Sequence, residues 1–222
     1  MNKIHQIYSL LYKSFGKQGW WPTTLENELH PKHHGKAPKN DKERFEIIIG
    51  AILTQNTNWK NVEKAIFNLN KNQLLDINKI KKINKKRLAS LIKPSGYFNQ
   101  KAERLKIIAD FYSKNKNPSR GELLDVKGIG PETADSILLY ALGKTSFVVD
   151  AYTKRIFSRL GLCNGNCSYD ELQQMFHKNL PKEQKLFNQY HALLVELGKN
   201  YCKTKPICKD CPLKRLCSYK KI

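Results

Sequence analysis

Apolar residues recur along this chain at helical spacing, interrupted by short polar stretches. Ile4, Ile7, Leu10 and Leu11 predict an amphipathic first helix ending near Gly16. After Gly19-Trp20-Trp21-Pro22 comes a polar stretch to Asn40 that reads as a solvated loop. Its His30, His33 and His34 have no partners at metal-ligand spacing. A helix over 41–53 turns Phe45, Ile48, Ile49 and Ile52 inward and stops at Thr54-Gln55-Asn56-Thr57-Asn58-Trp59. Shorter helices are predicted at 62–69, 73–77, 78–82 and 85–92. Pro94-Ser95-Gly96 breaks the pattern before a longer helix over 100–113 that buries Ala102, Leu105, Ile108 and Ala109. Three more are predicted at 151–160, 169–180 and 183–199. Only 145–149 suggests extended chain. The pattern predicts an all-α protein in two lobes.

The stretch 123–155 organises the rest. Gly128-Ile129-Gly130-Pro131 separates two helical patterns. Glycine permits a tight left-handed turn, and proline suits the first position of a new helix. Ala134, Ile137, Leu138 and Ala141 lie on one face of that helix. The segment reads as a helix-hairpin-helix, whose free N–H groups suit a phosphate. Asp150 follows the apolar Phe147-Val148-Val149 and opens another helical pattern, a favourable N-cap position. A carboxylate at a helix start stays ionised, and such a group can stabilise a sugar cation.

Charge changes the picture. The 222 residues carry a formal net charge of +21, which points to a polyanionic partner, nucleic acid first. Lysine, asparagine and isoleucine are abundant, so part of that charge can reflect base composition of the coding sequence. No apolar run reaches the roughly 18 residues of a membrane span, and the N-terminus has no signal-peptide core. An intracellular, soluble, monomeric protein without membrane contact is expected, in the cytoplasm or nucleoid. Disulfides are then not the expected use of six cysteines.

Cys202, Cys208, Cys211 and Cys217 are spaced C-x5-C-x2-C-x5-C. Four thiolates in so short a loop need a cation or cluster. Structural zinc takes two close pairs, and here only one exists, so the spacing favours a [4Fe–4S] cluster, with zinc as the alternative. Lys203, Lys205, Lys209, Lys214 and Arg215 would make that loop basic. Cys163 and Cys167 lack a second pair and read as free thiols or a packing pair.

Taken together, the Gly128-Ile129-Gly130 hairpin, the Val148-Val149-Asp150 segment and the four-cysteine loop resemble the endonuclease III group of DNA glycosylases over nearly the whole chain. The resemblance implies a six-helix barrel over 41–143 with the helix-hairpin-helix at 123–142. A second helical lobe would combine 1–40 with 144–222 and carry the cluster loop 202–217. It also implies double-stranded DNA as partner, bent and with one nucleotide flipped out. The first cysteine gap is five residues where the group has six. Members that also cut the strand carry lysine in a Gly-Arg-Lys-Thr-Ala context. Here Gly130-Pro131-Glu132-Thr133-Ala134 replaces the amine with Glu132, so monofunctional base excision is implied.

Trp20-Trp21-Pro22, Leu53-Thr54-Gln55-Asn56-Thr57, Pro94-Ser95-Gly96 and Lys127-Gly128-Ile129-Gly130 are similar to the 3-methyladenine glycosylase branch. The wider group implies Asp150 as the catalytic carboxylate, and the branch implies Trp20, Trp21 and Trp59 as base pocket, with Glu132 beside it. The wider group also implies Gln55 and Tyr97 as gap-filling and wedging residues, and Lys127, Gly128 and Gly130 as phosphate contacts. A pocket lysine of the branch aligns with Leu193. An N3-alkylated purine is a cation, and stacked rings attract it through their π faces. Three alternatives remain at this point: a G·T or G·U mismatch glycosylase, a bifunctional glycosylase/lyase using Lys127 or Lys154, and a non-catalytic DNA-structure binder.

Overall fold

The computed structural model describes residues 2–163 and 166–219. Met1 of the first predicted helix and residues 220–222 of the second lobe lie outside the described residues. Two compact units are present: Met1–Trp20 with Thr145–Ile222, and Trp21–Lys144. The boundary expected at residue 40 falls instead between Trp20 and Trp21. Residues 21–40 belong with the central unit because they pair as a small ribbon, β1 (Thr23–Thr24) against β2 (Pro31–Lys32), whose first strand packs on α2 (Asp41–Leu53). The solvated loop expected there is therefore partly ordered. His34 Nε2 is hydrogen-bonded to the Thr23 hydroxyl at 2.8 Å, and His30 stacks on Phe67.

The central unit is built around α2, buried on every side from Phe45 to Leu53, as expected of an interior helix. Around it stand α3 (Trp59–Lys71), α4 (Ile77–Lys82), α5 (Lys85–Leu91), a 3-10 turn (Lys93–Ser95) and α6 (Phe98–Lys114). The helix expected at 73–77 is absent: Gln73 takes a left-handed φ of 55° and ends the turn that follows α3. Next come α7 (Arg120–Leu124) and α8 (Pro131–Ser136), the latter continuing as a π-helical turn (Ile137–Ala141) packed on α2. Asparagine abundance has a structural use, since Asn40, Asn58 and Asn84 cap three of these helices with their side chains.

The terminal unit joins α1 (Lys3–Phe15) to α9 (Ala151–Arg159), α10 (Tyr169–Asn179) and α11 (Gln184–Asn200). Its core is aromatic: Phe147 stacks on Phe176 at 3.6 Å, with Phe157, Phe187 and Tyr190 around them. The stretch 145–149 is neither helix nor strand. Side chains satisfy its backbone instead: His177 Nε2 accepts from Phe147 N–H, Gln173 donates to the Phe147 carbonyl, and the Tyr169 hydroxyl accepts from Val149 N–H. This clamp delivers Asp150 to the start of α9. Among the described residues no helix is long and apolar enough to cross a membrane.

Candidate active site

In the central unit, α7, a six-residue turn and α8 form the predicted hairpin. Only one of its glycines uses the left-handed region: Gly128 has φ +87°, whereas Gly130 is extended at φ −95°, ψ 176° and serves as N-cap before Pro131. A Cβ on Gly128 would stand 2.5–2.7 Å from the Arg104 side chain. Arg104 in turn donates to Gln55 Oε1 at 2.5 Å, while Gln55 Nε2 donates to the Gly128 carbonyl and the Thr133 hydroxyl at 3.1 and 2.9 Å. Gln55 is thus folded onto the hairpin. Lys127 is 77% exposed and pairs with Glu103 at 2.8 Å. The hydrogen bonds from Lys127 and then Lys85 hold the Glu103 carboxyl down at about 2. Glu132 is exposed in the first turn of α8, where the helix dipole favours an acid.

Tyr97 is 64% exposed and heads α6 with a left-handed φ of 44°, a strained geometry for a residue other than glycine. An anchor lies behind it. Lys101, only 1% exposed, donates to the Leu53 carbonyl at 2.8 Å and the Ser95 carbonyl at 2.7 Å. One ammonium therefore ties down the chain two residues before Gln55 and two residues before Tyr97. Burial, with the nearby Arg104 charge adding, pushes the Lys101 amine down to about 8.

Trp21 and Trp59 meet edge to face at 5.5 Å, and Tyr140 of the π-helical turn lies 5.1 Å from Trp21. Trp21 rests on Gly50, where a Cβ would be 3.1 Å from the indole. Tyr140 joins this cluster unforeseen. The buried Glu46 accepts from Thr24 N–H and hydroxyl below it. Burial nonetheless raises its carboxyl above the ordinary range, those two hydrogen bonds opposing.

Trp20 belongs to the terminal unit, with Asp150. The Asp150 Oδ1 accepts from Thr153 N–H and hydroxyl at 2.7 and 2.8 Å, the N-cap expected of it. Its Oδ2 lies 3.6 Å from His191 Nε2, with the carboxylate side chain 13% exposed. Burial pulls the carboxyl upward. The close His191 imidazole and its charge, with the Thr153 donors, outweigh it and leave Asp150 below its ordinary value. Trp20 meets His191 edge to face at 6.0 Å and carries the Lys199 ammonium 5.6 Å above its ring. Leu193, aligned with the branch's pocket lysine, is fully buried.

The four C-terminal cysteines line one cavity of about 70 Å³, together with Arg159, Tyr201, Lys214 and Tyr219. Arg159 donates to Cys202 Sγ at 3.3 Å and to the Lys203 and Thr204 carbonyls, and Arg155 donates to the Cys202 carbonyl. Burial raises the Cys211 thiol; the Leu213 N–H opposes, and crowding by Cys202, Cys208 and Cys217 adds to the rise. Sulfurs so gathered suit a cationic centre that would take them as thiolates. Among the described residues no group of three or more Cys, His, Asp or Glu converges as for a single metal ion. Cys163 is pushed up to about 11 by burial and by its hydrogen bond with Cys167, so it stays a thiol at neutral pH.

A family model described as the HhH-GPD superfamily of base excision DNA repair proteins matches residues 49–182. A putative DNA repair glycosylase of Methanocaldococcus jannaschii is 44% identical, covering 96% of this chain and 95% of its own length. Among solved structures, the H. pylori 3-methyladenine DNA glycosylase bound to 1,N6-ethenoadenine is 30% identical with a TM-score of 0.72, over 90% of this chain and 98% of that one. A trapped endonuclease III–DNA covalent intermediate matches at a TM-score of 0.79 over 98% and 97% of the two chains. At 22% identity it bears on fold alone.

Proposed function

The chain belongs to the HhH-GPD superfamily of base excision DNA repair proteins, and we propose that within it this protein is a monofunctional glycosylase that hydrolytically releases an alkylated purine, such as 3-methyladenine, from double-stranded DNA. The observation that carries the reading is Asp150, held ionised at the head of α9 by Thr153 and His191. As the N-glycosidic bond breaks, its electron pair leaves with the purine. Asp150 stabilises the resulting sugar cation until water adds at C1′ and releases its proton to solvent. Alkylation makes the base cationic, which suits electron-rich indoles. Trp20 stands beside the Asp150–His191 pair for stacking, and the resemblance assigns Trp21 and Trp59 to the same recognition. The 30% identity to a 3-methyladenine glycosylase supports this substrate class.

Gln55 leaves the hairpin to fill the gap in the duplex, Tyr97 wedges, and Lys127 with the Gly128–Gly130 turn holds a backbone phosphate. The amine needed for strand cleavage is missing where Glu132 stands, since a carboxylate forms no Schiff base. Lys101 has the depressed basicity of a reactive amine, yet it is sealed and spent on two carbonyls. Cys202, Cys208, Cys211 and Cys217 would hold a [4Fe–4S] cluster, which would order the loop that carries Lys203, Lys205, Lys209, Lys214 and Arg215. The single close pair in the C-x5-C-x2-C-x5-C spacing suits a cluster better than a zinc ion. The protein acts as a monomer.

A panel of duplexes bearing methylated purines, 1,N6-ethenoadenine, G·T or G·U, treated with enzyme and then heat and alkali, tests the reading. Methylpurine release that Asp150→Asn abolishes without loss of DNA affinity is expected. Preferential G·T cleavage would make it a mismatch enzyme, and no release from any duplex would make it a DNA-structure binder. Borohydride should trap no adduct; a trapped adduct would overturn the monofunctional assignment.

A further inference from the structure

His191 lies on the face of α11 that packs against α9 and is only 4% exposed. Its Nε2 approaches the Asp150 oxygen that Thr153 does not take, at 3.6 Å. Its ring meets that of Trp20 edge to face at 6.0 Å, and one helical turn earlier Asn188 donates to the Trp20 carbonyl at 3.1 Å. Residues three apart share a helix face, so one face of α11 touches both the carboxylate and the indole. The groups facing the carboxylate are the Thr153 N–H and hydroxyl of its own helix and His191 of α11. Beyond the imidazole come the Trp20 ring and the Lys199 ammonium. Arg155, also on α9, is turned to the Cys202 and Gly198 carbonyls.

We propose that His191 is a positioning residue for base release: it fixes the free oxygen of Asp150 and the plane of Trp20 relative to one another, so that both address the same flipped nucleotide. The inference rests on the roles given above to Asp150 and Trp20. At 3.6 Å the contact is longer than a formed hydrogen bond, and a shift of a few tenths of an ångström closes it. Thr153 holds one oxygen through two donors, which fixes a pivot and leaves rotation about it free. His191 removes that freedom. It also offsets burial, the largest influence on this carboxyl, and burial acts to raise it. An apolar residue at this position would leave burial opposed by Thr153 alone.

Two amides of different reach separate positioning from mere support. In His191→Gln the longer side chain carries its amide to the place of Nε2, whereas the shorter one of His191→Asn stops near Nδ1. Wild type, His191→Gln, His191→Asn, His191→Leu and Asp150→Asn would be compared in single-turnover release from methylated duplex DNA across pH, with affinity for an uncleavable abasic analogue and urea unfolding alongside. Expected are a rate within about threefold of wild type for His191→Gln and a loss of roughly 10- to 100-fold for His191→Asn and His191→Leu. Affinity should be unchanged, and the acid limb of the His191→Leu profile should move to higher pH. His191→Asn keeps the test open should His191→Leu not fold. Equal losses in His191→Gln and His191→Asn, or wild-type rates and an unmoved acid limb throughout, overturn the proposal. Base release by Asp150→Asn, or none by wild type, sinks the functional reading itself and is seen independently of the His191 variants.

Discussion

Replacing Gly128 by alanine should cost about 3 kcal/mol, in two separable parts. The first is backbone strain. At φ +87° a Cβ is held in the left-handed region, a cost of about 1–2 kcal/mol. The second is steric. The new methyl would stand 2.5 Å from Arg104 Nε and 2.7 Å from its Cδ and Cγ, well inside the arginine stem, so the side chain must swing away. Doing so breaks the guanidinium bond to Gln55 Oε1, worth about 1.5 kcal/mol for a charged donor at a part-buried site. Urea unfolding of wild type, Gly128→Ala, Arg104→Ala and the double variant measures both parts. In the Arg104→Ala background only strain remains, so Gly128→Ala should cost about 1–2 kcal/mol there, a coupling of about 1.5 kcal/mol. Fluorescence anisotropy with an abasic-analogue duplex should show weaker binding by Gly128→Ala, because Gln55 and the turn move together. Equal costs in both backgrounds would refute the steric argument, and a total below about 0.5 kcal/mol would refute the strain argument as well.

Lys101→Met gives a pH signature. The folded-state amine sits at about 8 against 10.5 unfolded, so between those values the unfolded chain binds the extra proton and wild type gains stability as pH rises. The advantage of wild type over Lys101→Met should therefore grow by about 3 kcal/mol from pH 8 to 10.5, and a flat difference in urea midpoints would contradict the burial argument. Arg120→Ala removes the bidentate partner, at 3.0–3.3 Å, of the fully buried Asp135. A loss of about 3 kcal/mol is expected, whereas a loss under about 1 kcal/mol would class the pair with exposed ion pairs. Anaerobically purified protein should show sulfur-to-iron charge-transfer absorbance and about four irons per chain, both diminished in Cys211→Ser; stoichiometric zinc with no colour would overturn the cluster assignment.

Helices were legible because periodicity and caps agree. The spacing of Phe45, Ile48, Ile49 and Ile52 with Asn40 before them defines α2 to the residue, and Ser168 with Glu171 does the same for the start of α10 through a capping box. What periodicity cannot carry is the identity of a partner. His191 follows Asp150 by forty-one positions, and an imidazole on the buried face of α11 has no local mark that distinguishes it from a core histidine. Lys101 and Arg104 likewise read as polar residues on a long helix, since the Leu53 carbonyl and the Gln55 amide they reach lie about fifty residues earlier. Local geometry escaped for a related reason. The π-helical turn that carries Tyr140 lies within an unbroken apolar run, where a pattern of buried residues does not report how the backbone winds.

The adjacent tryptophans make the same point from the other side. Two neighbours cannot both face inward from a regular helix, so one of them had to lie at a surface. The chain resolves this without a helix. It passes from one compact unit to the other between Trp20 and Trp21. Trp21 is seated on Gly50, 6% exposed, while Trp20 stays half-buried against His191. A glycine in mid-helix usually costs about 1 kcal/mol relative to alanine. Gly50 has the compensating use that a Cβ there would press the indole at 3.1 Å. Gly50→Ala should therefore disturb Trp21 fluorescence and weaken methylpurine release while leaving the Asp150–His191 contact, which lies wholly in the terminal unit, untouched. If Gly50→Ala instead raises stability by that propensity difference with no change in Trp21 emission, the glycine is not there for the indole, and the case for Trp21 as a held recognition element loses its physical basis.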